Sequence, residues 1–325
     1  MFRFPSALPR LSLSRLPRLS LSRHGMALGL CLSLFAPPGQ AGGPAEFACP
    51  DFFAGGKPPV FRSTPGQRLR ALCFNAFAVM HNGSTRTPLF AAEKLNRASL
   101  RDAADEVRTD RFFADARLPG AERATLDDYR ESGYDRGHMA PAADMPNPDA
   151  MAQSFSLANM VPQVPEHNRK TWADTEAAVR RYAMRNVSSD VFVITGPVFP
   201  AQPQRIGPNG VAVPSHLYKL VYDARTHRAW AYWQENARGT RMTAPISYDE
   251  LVRRTGITFL PGVTVLAGGD TTADPVTPPP APVIRQVDNP DQTAANDENA
   301  CLTGPRGGHY RIVNGKKRYG CTPTQ

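Results

Sequence analysis

The sequence predicts an α+β fold with a mixed, mainly antiparallel sheet at its core. Strand-like runs stand both before and after one amphipathic helical segment, an order that favours strands and helices segregated within one fold. The 325 residues are 41% hydrophobic and 21% charged, a globular composition that is long enough to bury a full core. No internal repeat is found.

The first strands are expected in the N-terminal third of the chain. Residues 71–80 form a strand-like apolar run, residues 81–84 (His-Asn-Gly-Ser) supply turn residues, and a second strand follows near 86–93. The Gly/Pro-rich segment 42–66 is predicted to be irregular. The polar segment 94–132 is predicted to contain helical stretches and loops.

An amphipathic helix is predicted over Glu166–Arg185. Trp172, Val179 and other apolar residues share one face, and arginines and a lysine take the solvent side. Strands are then predicted at 191–195, 218–222 and 229–233. The last two of these form a hairpin that turns at 224–227.

Residues 1–41 are expected to be a signal peptide. They contain five Arg and no acid, an apolar stretch of ten at 26–35, and small residues at 39–41. We therefore expect a secreted or periplasmic protein without stable membrane association, because ten apolar residues cannot span a bilayer. A membrane anchor, or a true start at Met26, is the alternative.

The cysteines are expected to form disulfides. Beyond residue 41 there are four, which allow three pairings, and proximity favours Cys49–Cys73 and Cys301–Cys321. Their spacing does not match a structural zinc site.

The remaining boundaries follow from composition and charge. Residues 42–270 are predicted to be the catalytic domain, 271–300 a Pro/Asp-rich linker and 301–325 a small, basic, disulfide-closed module. The chain carries +9, but 1–41 and 301–321 contribute +5 each and 271–300 contributes −4, so only about +3 remains on 42–270. Net charge therefore does not identify a nucleic-acid enzyme, and local clustering has to do so.

The most informative motif is Tyr134–Pro141 (YDRGHMAP), which places Arg136 two residues from His138. An imidazole keeps an unprotonated nitrogen near neutral pH and can act as a base. A guanidinium is a permanent planar cation that matches phosphate oxygens. This pair is suited to phosphodiester hydrolysis, which needs an activated water and neutralisation of added charge.

Asn168 and Glu176 add oxygen ligands for a hard metal on the predicted helix. Mg²⁺ often takes only one or two protein oxygens beside substrate phosphates, and an Asn amide oxygen can be one of them. Glu176 lies eight residues later, about 80° around the helix, where it could orient water of the metal. His167 tempts as a ligand but points about 100° away, and it is left unassigned.

Together these motifs resemble the DNA/RNA non-specific endonucleases. The matching residues are Asp135-Arg136-Gly137-His138, then Asn159-Met-Val-Pro-Gln163, then Asn168 with Trp172 and Glu176. The family comprises the ββα-metal, or His-Me finger, enzymes, which include secreted bacterial nucleases and mitochondrial endonuclease G. The similarity spans about 68–268. The DRGH string alone is modestly specific, and Asn168 thirty residues later makes the match strong.

The resemblance implies a role for each matched residue. It makes His138 the general base, Asn168 the direct ligand of Mg²⁺ (or Mn²⁺), and Glu176 the residue that holds a water of the metal. Arg136 matches the motif arginine near the phosphates. The roles of two further residues, an upstream arginine of the site and a supportive asparagine, fall to Arg108 and Asn159.

The resemblance also implies a ββα-metal active site that cleaves DNA and RNA with little sequence specificity and leaves 5′-phosphate ends. The alternatives are a catalytically silent nucleic-acid-binding protein, a phosphodiesterase on small nucleotides or lipids, and a secreted toxin with a nuclease warhead. The oligomeric state stays open, with a homodimer as one option. The basic module resembles a small adaptor domain that could contact phosphate backbone, or it is a solvated tail.

Each assignment has a structural alternative. Arg136 could pair with Asp135 or Asp144 at the surface, and Asn168 could cap the helix. Glu176 could pair with Arg180 at the i,i+4 spacing. Trp172 is expected to pack in the core rather than to stack on a base.

Overall fold

The computed structural model describes residues 46–64, 66–185, 189–266, 301–303, 309–313 and 316–319. The predicted signal peptide 1–41 and linker 271–300 lie outside these residues.

The described strands are numbered here in chain order: β1 Leu69–Cys73, β2 Phe77–Asn82, β3 Thr87–Leu95, β4 Asp135–His138, β5 Met160–Gln163, β6 Val191–Val198, β7 Arg205–Ile206, β8 Val211–Ala212, β9 His216–Asp223, β10 Arg228–Glu235, β11 Ile246–Ser247, β12 Leu302–Thr303, β13 His309–Val313 and β14 Lys316–Tyr319. The α-helices are α1 Arg97–Asp105, α2 Leu126–Tyr129, α3 Pro148–Ser154, α4 Pro165–His167, α5 Ala173–Arg185 and α6 Tyr248–Thr255.

A seven-stranded sheet forms the centre of the fold, in the order β1-β2-β3-β6-β9-β10-β11. Every neighbouring pair in it is antiparallel. Helices lie outside this sheet, so the predicted α+β class with a mainly antiparallel core is confirmed.

The sheet is buried on both faces. Alternate residues of a strand point to opposite sides, so each face contributes its own set of core residues. One face carries Phe77, Val79 and Leu217, which pack with Trp172 and the segment that follows β4. The other face packs against the N-terminal segment and α6, through residues that include Phe90, Tyr218, Leu220, Phe53, Leu251 and Phe259. The candidate site residues lie on the first side.

The predicted strand over 71–80 is in fact two strands. β1 and β2 pair with Cys73 opposite Ala78, and the backbone N–H of Phe74 donates to the carbonyl of Phe77 at 2.9 Å. The turn is held from outside, since Asn75 donates its backbone N–H to the side chain of Gln153. The run 71–80 hid this turn because Asn75 is its only polar residue.

Other expected elements are confirmed. The turn near 81–84 joins β2 to β3, and the hairpin over 218–233 is formed by β9 and β10. The predicted helix 166–185 exists but is not uniform, because a π-helical turn, Asn168–Trp172, separates α4 from α5. The segment 42–66 contains two single 3₁₀ turns, at Pro50–Phe52 and Ala54–Gly56.

The predicted Cys49–Cys73 disulfide is formed, with the two Cα atoms 5.9 Å apart. Cys301 is also disulfide-bonded, while position 321 lies outside the described residues, so that pairing stays a prediction. β12, β13 and β14 form a separate three-stranded antiparallel sheet. Within the part of the chain that the structure describes, no helix has the length and apolar character needed to cross a bilayer.

Candidate active site

Two short strands and a helix bring the predicted site residues together. β4 pairs with β5 in antiparallel register, with Asp135 opposite Gln163 and His138 opposite Met160. The helical segment starts two residues after β5, and Pro165 occupies its first turn, where a missing N–H costs nothing. This ββα arrangement places the DRGH strand beside the helix turn that carries Asn168.

Gly137 is required by this packing. A Cβ at that position would collide with the side chain of Gln163 on β5. The constraint is close approach, since the backbone there is an ordinary strand. The glycine of the motif therefore lets the two strands of the ββα unit close on each other.

His138 is held in an aromatic slot. It is 9% exposed, its ring lies edge-on to Phe155 with centroids 5.1 Å apart, and the ring of Phe112 is 5.8 Å away. Burial, followed by the positive charges of Arg108 and Arg136, lowers the pKa of His138 to about 3. Its Nε2 has no hydrogen-bond partner. The ring is therefore neutral at physiological pH, with an uncommitted nitrogen.

Arg136 lies over the ring of Phe112, with its guanidinium carbon 4.0 Å from the centroid. The alternative salt bridges to Asp135 and Asp144 are not formed, because these carboxylates bind Arg169 and Arg180. Among the described residues Arg136 has no carboxylate partner, so its charge remains available to an anion.

Arg108 reaches the same region from the loop after α1. Its guanidinium carbon lies 5.0 Å from the centre of the Phe155 ring, and its Nε donates to Asp110 at 2.7 Å. Both partners of that ion pair are half exposed or more. Such a pair is weak in water, so it can exchange for a phosphate.

Asn168 is oriented by Asp135. Its Nδ2 donates to Oδ2 of Asp135 at 2.9 Å, while Arg169 binds the same carboxylate through two nitrogens. A carboxylate only accepts hydrogen bonds, which fixes the amide so that Oδ1 points away from Asp135. The side chain does not cap a helix, and the backbone N–H already donates to Val164.

A cavity of about 620 Å³ gathers part of the predicted set. Arg108, Arg136 and Asn168 all line it, and Arg130 and Arg169 add two more cations. Its remaining lining residues are Asp110, Phe112, Leu126, Tyr129, Tyr134 and Asp135. The cavity is thus rich in guanidinium groups and aromatic rings. His138, Asn159 and Glu176 are not among its lining residues.

Asn159 lies beneath the site and does not enter the cavity. It is fully buried, its Oδ1 accepts from the N–H of Ala140, and its Nδ2 donates to the carbonyls of Ala140 and Ser154. Its backbone carbonyl also accepts from Met139. The bonds with Met139 and Ala140 hold the chain just after His138, and the bond to Ser154 ties it to the end of α3.

Glu176 is half-buried on α5. Burial raises the pKa of its carboxyl to about 7, and nearby charges modify this, with Lys219 and Arg180 favouring the ionised form and Asp144 opposing it. Its predicted structural partner, Arg180, instead donates to Asp144 at 2.9 Å. Trp172 is 1% exposed and packs in the core, as expected.

His167 has a structural role in fixing the helix. Its Nε2 bonds to Oε1 of Gln234, whose amide nitrogen donates to Thr175, and its Nδ1 faces the amide nitrogen of Gln163. Only one tautomer, with the proton on Nε2, satisfies these contacts. Burial lowers the pKa of His167. This buried chain ties α4 and α5 to β5 and β10.

The donor set is compatible with a hard divalent cation. Among the described residues no group of three or more His, Cys, Asp or Glu side chains could hold a metal ion. A metal here would rest on Oδ1 of Asn168, which Asp135 turns outward, with water and substrate phosphate completing its shell. Mg²⁺ accepts this kind of coordination more readily than softer metals do.

Three features of the site were not anticipated from the sequence. They are the aromatic slot formed by Phe112 and Phe155, the hydrogen bond by which Asp135 orients Asn168, and the buried ionisable residues near Trp172, which include Lys219 and Glu93. The last had a signal in the sequence, since Lys219 stands in the middle of an apolar strand, as does Glu93.

Comparison with known proteins gives a consistent result. Residues 59–266, well over half of the chain, match the DNA/RNA non-specific endonuclease family. In structure, the chain is similar to the endonuclease in a solved structure titled "Crystal structure of the EndoG/EndoGI complex: Mechanism of EndoG inhibition". The TM-score is 0.53 with 28% identity, over 58% of this chain and 85% of that one.

Similar curated sequences come from fungi and animals. Nuclease C1 of Cunninghamella echinulata var. echinulata is 33% identical over 229 residues, which are 64% of this chain and 90% of that protein. Human "Endonuclease G, mitochondrial" is 32% identical over 213 residues, 59% and 70% of the two chains. "Nuclease 1, mitochondrial" of Schizosaccharomyces pombe is 39% identical over 150 residues, and the chain spans only 46% of its length.

These relatives correct the predicted secreted or periplasmic location. Two of the three carry the word mitochondrial in their names, which points to mitochondria rather than export. The composition of the N-terminus explains the error. Segment 1–25 is rich in Arg and Ser and free of acids, which is as typical of a mitochondrial targeting segment as of the basic start of a signal peptide.

Proposed function

Because the chain belongs to the DNA/RNA non-specific endonuclease family, an enzyme family, we propose that it is a metal-dependent endonuclease that hydrolyses phosphodiester bonds of DNA and RNA with little sequence specificity. The observation that carries this proposal is the neutral His138, with its uncommitted Nε2, beside Arg136, which has no carboxylate partner in the described chain.

In the proposed reaction, His138 takes a proton from water through Nε2 while the water oxygen forms a bond to phosphorus. The bond from phosphorus to the 3′ oxygen breaks, and this oxygen takes a proton from solvent water, which leaves a 5′-phosphate on one product and a 3′-hydroxyl on the other. Arg136 and Arg108 neutralise the charge that builds on the phosphate oxygens. Glu176, when ionised, accepts hydrogen bonds from water in the site and orients it.

A divalent cation, Mg²⁺ or Mn²⁺, fits the site through Oδ1 of Asn168. When bound it supplies charge neutralisation for the phosphate and for the leaving oxygen. Asp135 would keep the amide turned toward the cation, since its carboxylate holds Nδ2.

Low specificity follows from the groups that line the cavity. Its polar contacts come mainly from Arg108, Arg130, Arg136 and Arg169. Guanidinium groups bind the phosphate backbone, which carries no direct sequence information. The ring of Tyr134, which lines the cavity, offers a stacking surface that any base can use.

Each predicted domain has a role in this proposed function. Residues 42–270 act as the nuclease domain, and the family match over 59–266 supports that extent. The module 301–325, with its five cations, acts as a tethered contact for nucleic acid and raises the local concentration of substrate.

The test is incubation of the protein with plasmid DNA and with RNA, with Mg²⁺ and with a chelator, beside His138→Ala and Asn168→Ala. We expect degradation of both substrates by the wild type with Mg²⁺, and a loss of about 100-fold or more in each variant. Equal activity of wild type and His138→Ala would refute the mechanism. Cleavage of only a small phosphodiester, such as bis(p-nitrophenyl) phosphate, would point to a phosphodiesterase instead.

A further inference from the structure

A lysine is buried behind the site. Lys219 lies in the middle of β9 and is 1% exposed, on the face of the sheet that also carries Leu217 and Val221. Burying an ammonium group costs several kcal/mol unless polar groups replace its water. The contacts of its ammonium group therefore show what stabilises it in the core.

The contacts of Lys219 join the two halves of the site. Its Nζ donates to Oγ1 of Thr195 at 2.7 Å and to the carbonyl of Met139 at 3.4 Å, and lies 5.4 Å from the centre of the Trp172 ring. Met139 directly follows His138. Trp172 lies four residues after Asn168 and four before Glu176, so it belongs to the helical face that carries both.

Other buried ionisable side chains lie near Lys219 and Glu176. Glu93 on β3 is 2% exposed and Asp144, in a 3₁₀ turn, is 4% exposed. Arg180 of α5 neutralises Asp144 through their salt bridge. Burial raises the pKa of Glu93 well above its usual range, which favours its neutral form. Lys219 and Arg180 are thus the two cations that favour the ionised form of Glu176.

We propose that Lys219 is a positioning residue of the active site, which fixes the chain behind His138 and the helix face at Trp172. This proposal rests on the proposed nuclease function. Lys219 itself touches neither the cavity nor the reacting atoms.

The test is Lys219→Met, which keeps the length of the side chain and removes its charge. Its loss removes the hydrogen bond to the carbonyl of Met139, which holds the chain next to His138. We expect kcat to fall by about tenfold or more and KM to change by less than about threefold, because a misplaced base affects the chemical step more than binding. A folded variant with the wild-type kcat would overturn the proposal.

Asp223→Asn is the matched control. Asp223 is on the same strand, fully buried and charged, but it bonds to Tyr182 and to the turn after β9. Its substitution should lower Tm without lowering kcat below the transition. An equal fall in kcat in this control would show that any damage to β9 has the effect, and would also overturn the proposal.

Thr195→Val is the second variant if Lys219→Met does not fold. It removes the hydrogen-bond acceptor that holds Nζ and keeps the volume and the lysine charge. We expect a smaller fall in kcat, of about two- to fivefold, and an unchanged kcat there would overturn the proposal. The failure of the proposed function is distinguishable, because the wild type itself would then lack nuclease activity.

Discussion

Nδ2 of Asn168 donates to Oδ2 of Asp135 at 2.9 Å, and this bond sets the direction of the amide oxygen on the other side. The first residue of the DRGH motif thereby controls a residue thirty-three positions later. The motif thus combines a clamp at Asp135, a cation at Arg136 that has no carboxylate partner among the described residues, and the proposed base at His138. Gly137 provides the close packing that joins them to β5.

Asp135→Asn should weaken the response to metal. An asparagine at 135 can donate as well as accept, so the amide of Asn168 loses its fixed orientation. We expect the Mg²⁺ concentration for half-maximal activity to rise by about fivefold to tenfold, with kcat at saturating Mg²⁺ less affected. Arg169→Ala is the control, because it removes the other partner of Asp135 and keeps the bond to Asn168. An unchanged metal requirement in Asp135→Asn would exclude the clamp.

The elements with strong sequence patterns were predicted correctly, and the structure shows why two local features were not predicted. The hairpin over 218–233 and the helix over 166–185 have clear periodicity and are confirmed. The turn inside 71–80 was missed because hydrophobicity continues through it. The π-helical turn at Asn168 was missed because it depends on tertiary contacts such as the bond from Thr171 to the carbonyl of Thr240.

The candidate site divided in the same way. Motif spacing brought out His138, Arg136 and Asn168, which are close in sequence or on one helix. The buried residues Lys219 and Glu93 come from β9 and β3, which lie on either side of β6 in the sheet. A charged residue inside an apolar strand marks such a position, but it does not identify the partner.

Glu176→Gln should stabilise the protein above pH 7 while it reduces activity. The pKa of Glu176 is raised to about 7 in the folded chain, compared with about 4.3 when unfolded. The folded state therefore holds more protons between these values, and stability falls as pH rises through that window. We expect a gain of about 1–2 kcal/mol in the free energy of unfolding at pH 8, and little at pH 4.5, in urea titrations.

Glu166→Gln is the matched control for that experiment. Glu166 belongs to α4 and makes only a long surface pair with Lys170, at 3.7 Å. Its removal should change stability by less than about 0.5 kcal/mol at either pH. If Glu176→Gln had the same free energy of unfolding as the wild type at pH 8, the ionised carboxylate of Glu176 would not destabilise the fold, and the prediction would be wrong.

Removal of the Cys49–Cys73 disulfide should affect stability more than chemistry. The bond closes a loop with a sequence separation of 24, for which the loss of unfolded-chain entropy corresponds to about 3 kcal/mol. The double variant Cys49→Ser/Cys73→Ser should show a lower Tm with kcat retained below the transition. The wild type with a reductant should reproduce the effect. A lower kcat in the fully folded variant would instead show that this disulfide affects the active site.

Deletion of 301–325 should weaken nucleic-acid binding at low salt and leave cleavage chemistry intact. The segment holds five cations, and each phosphate it neutralises adds about 0.9 to the slope of log K against log salt. We therefore expect a shallower slope for the truncated chain in binding titrations with a DNA duplex and chelator, and an unchanged kcat with Mg²⁺. Full-length protein with the five cations changed to Gln separates charge from fold, and should match the truncation. A truncated chain that stays folded but does not cleave DNA would show that the module belongs to the catalytic machinery.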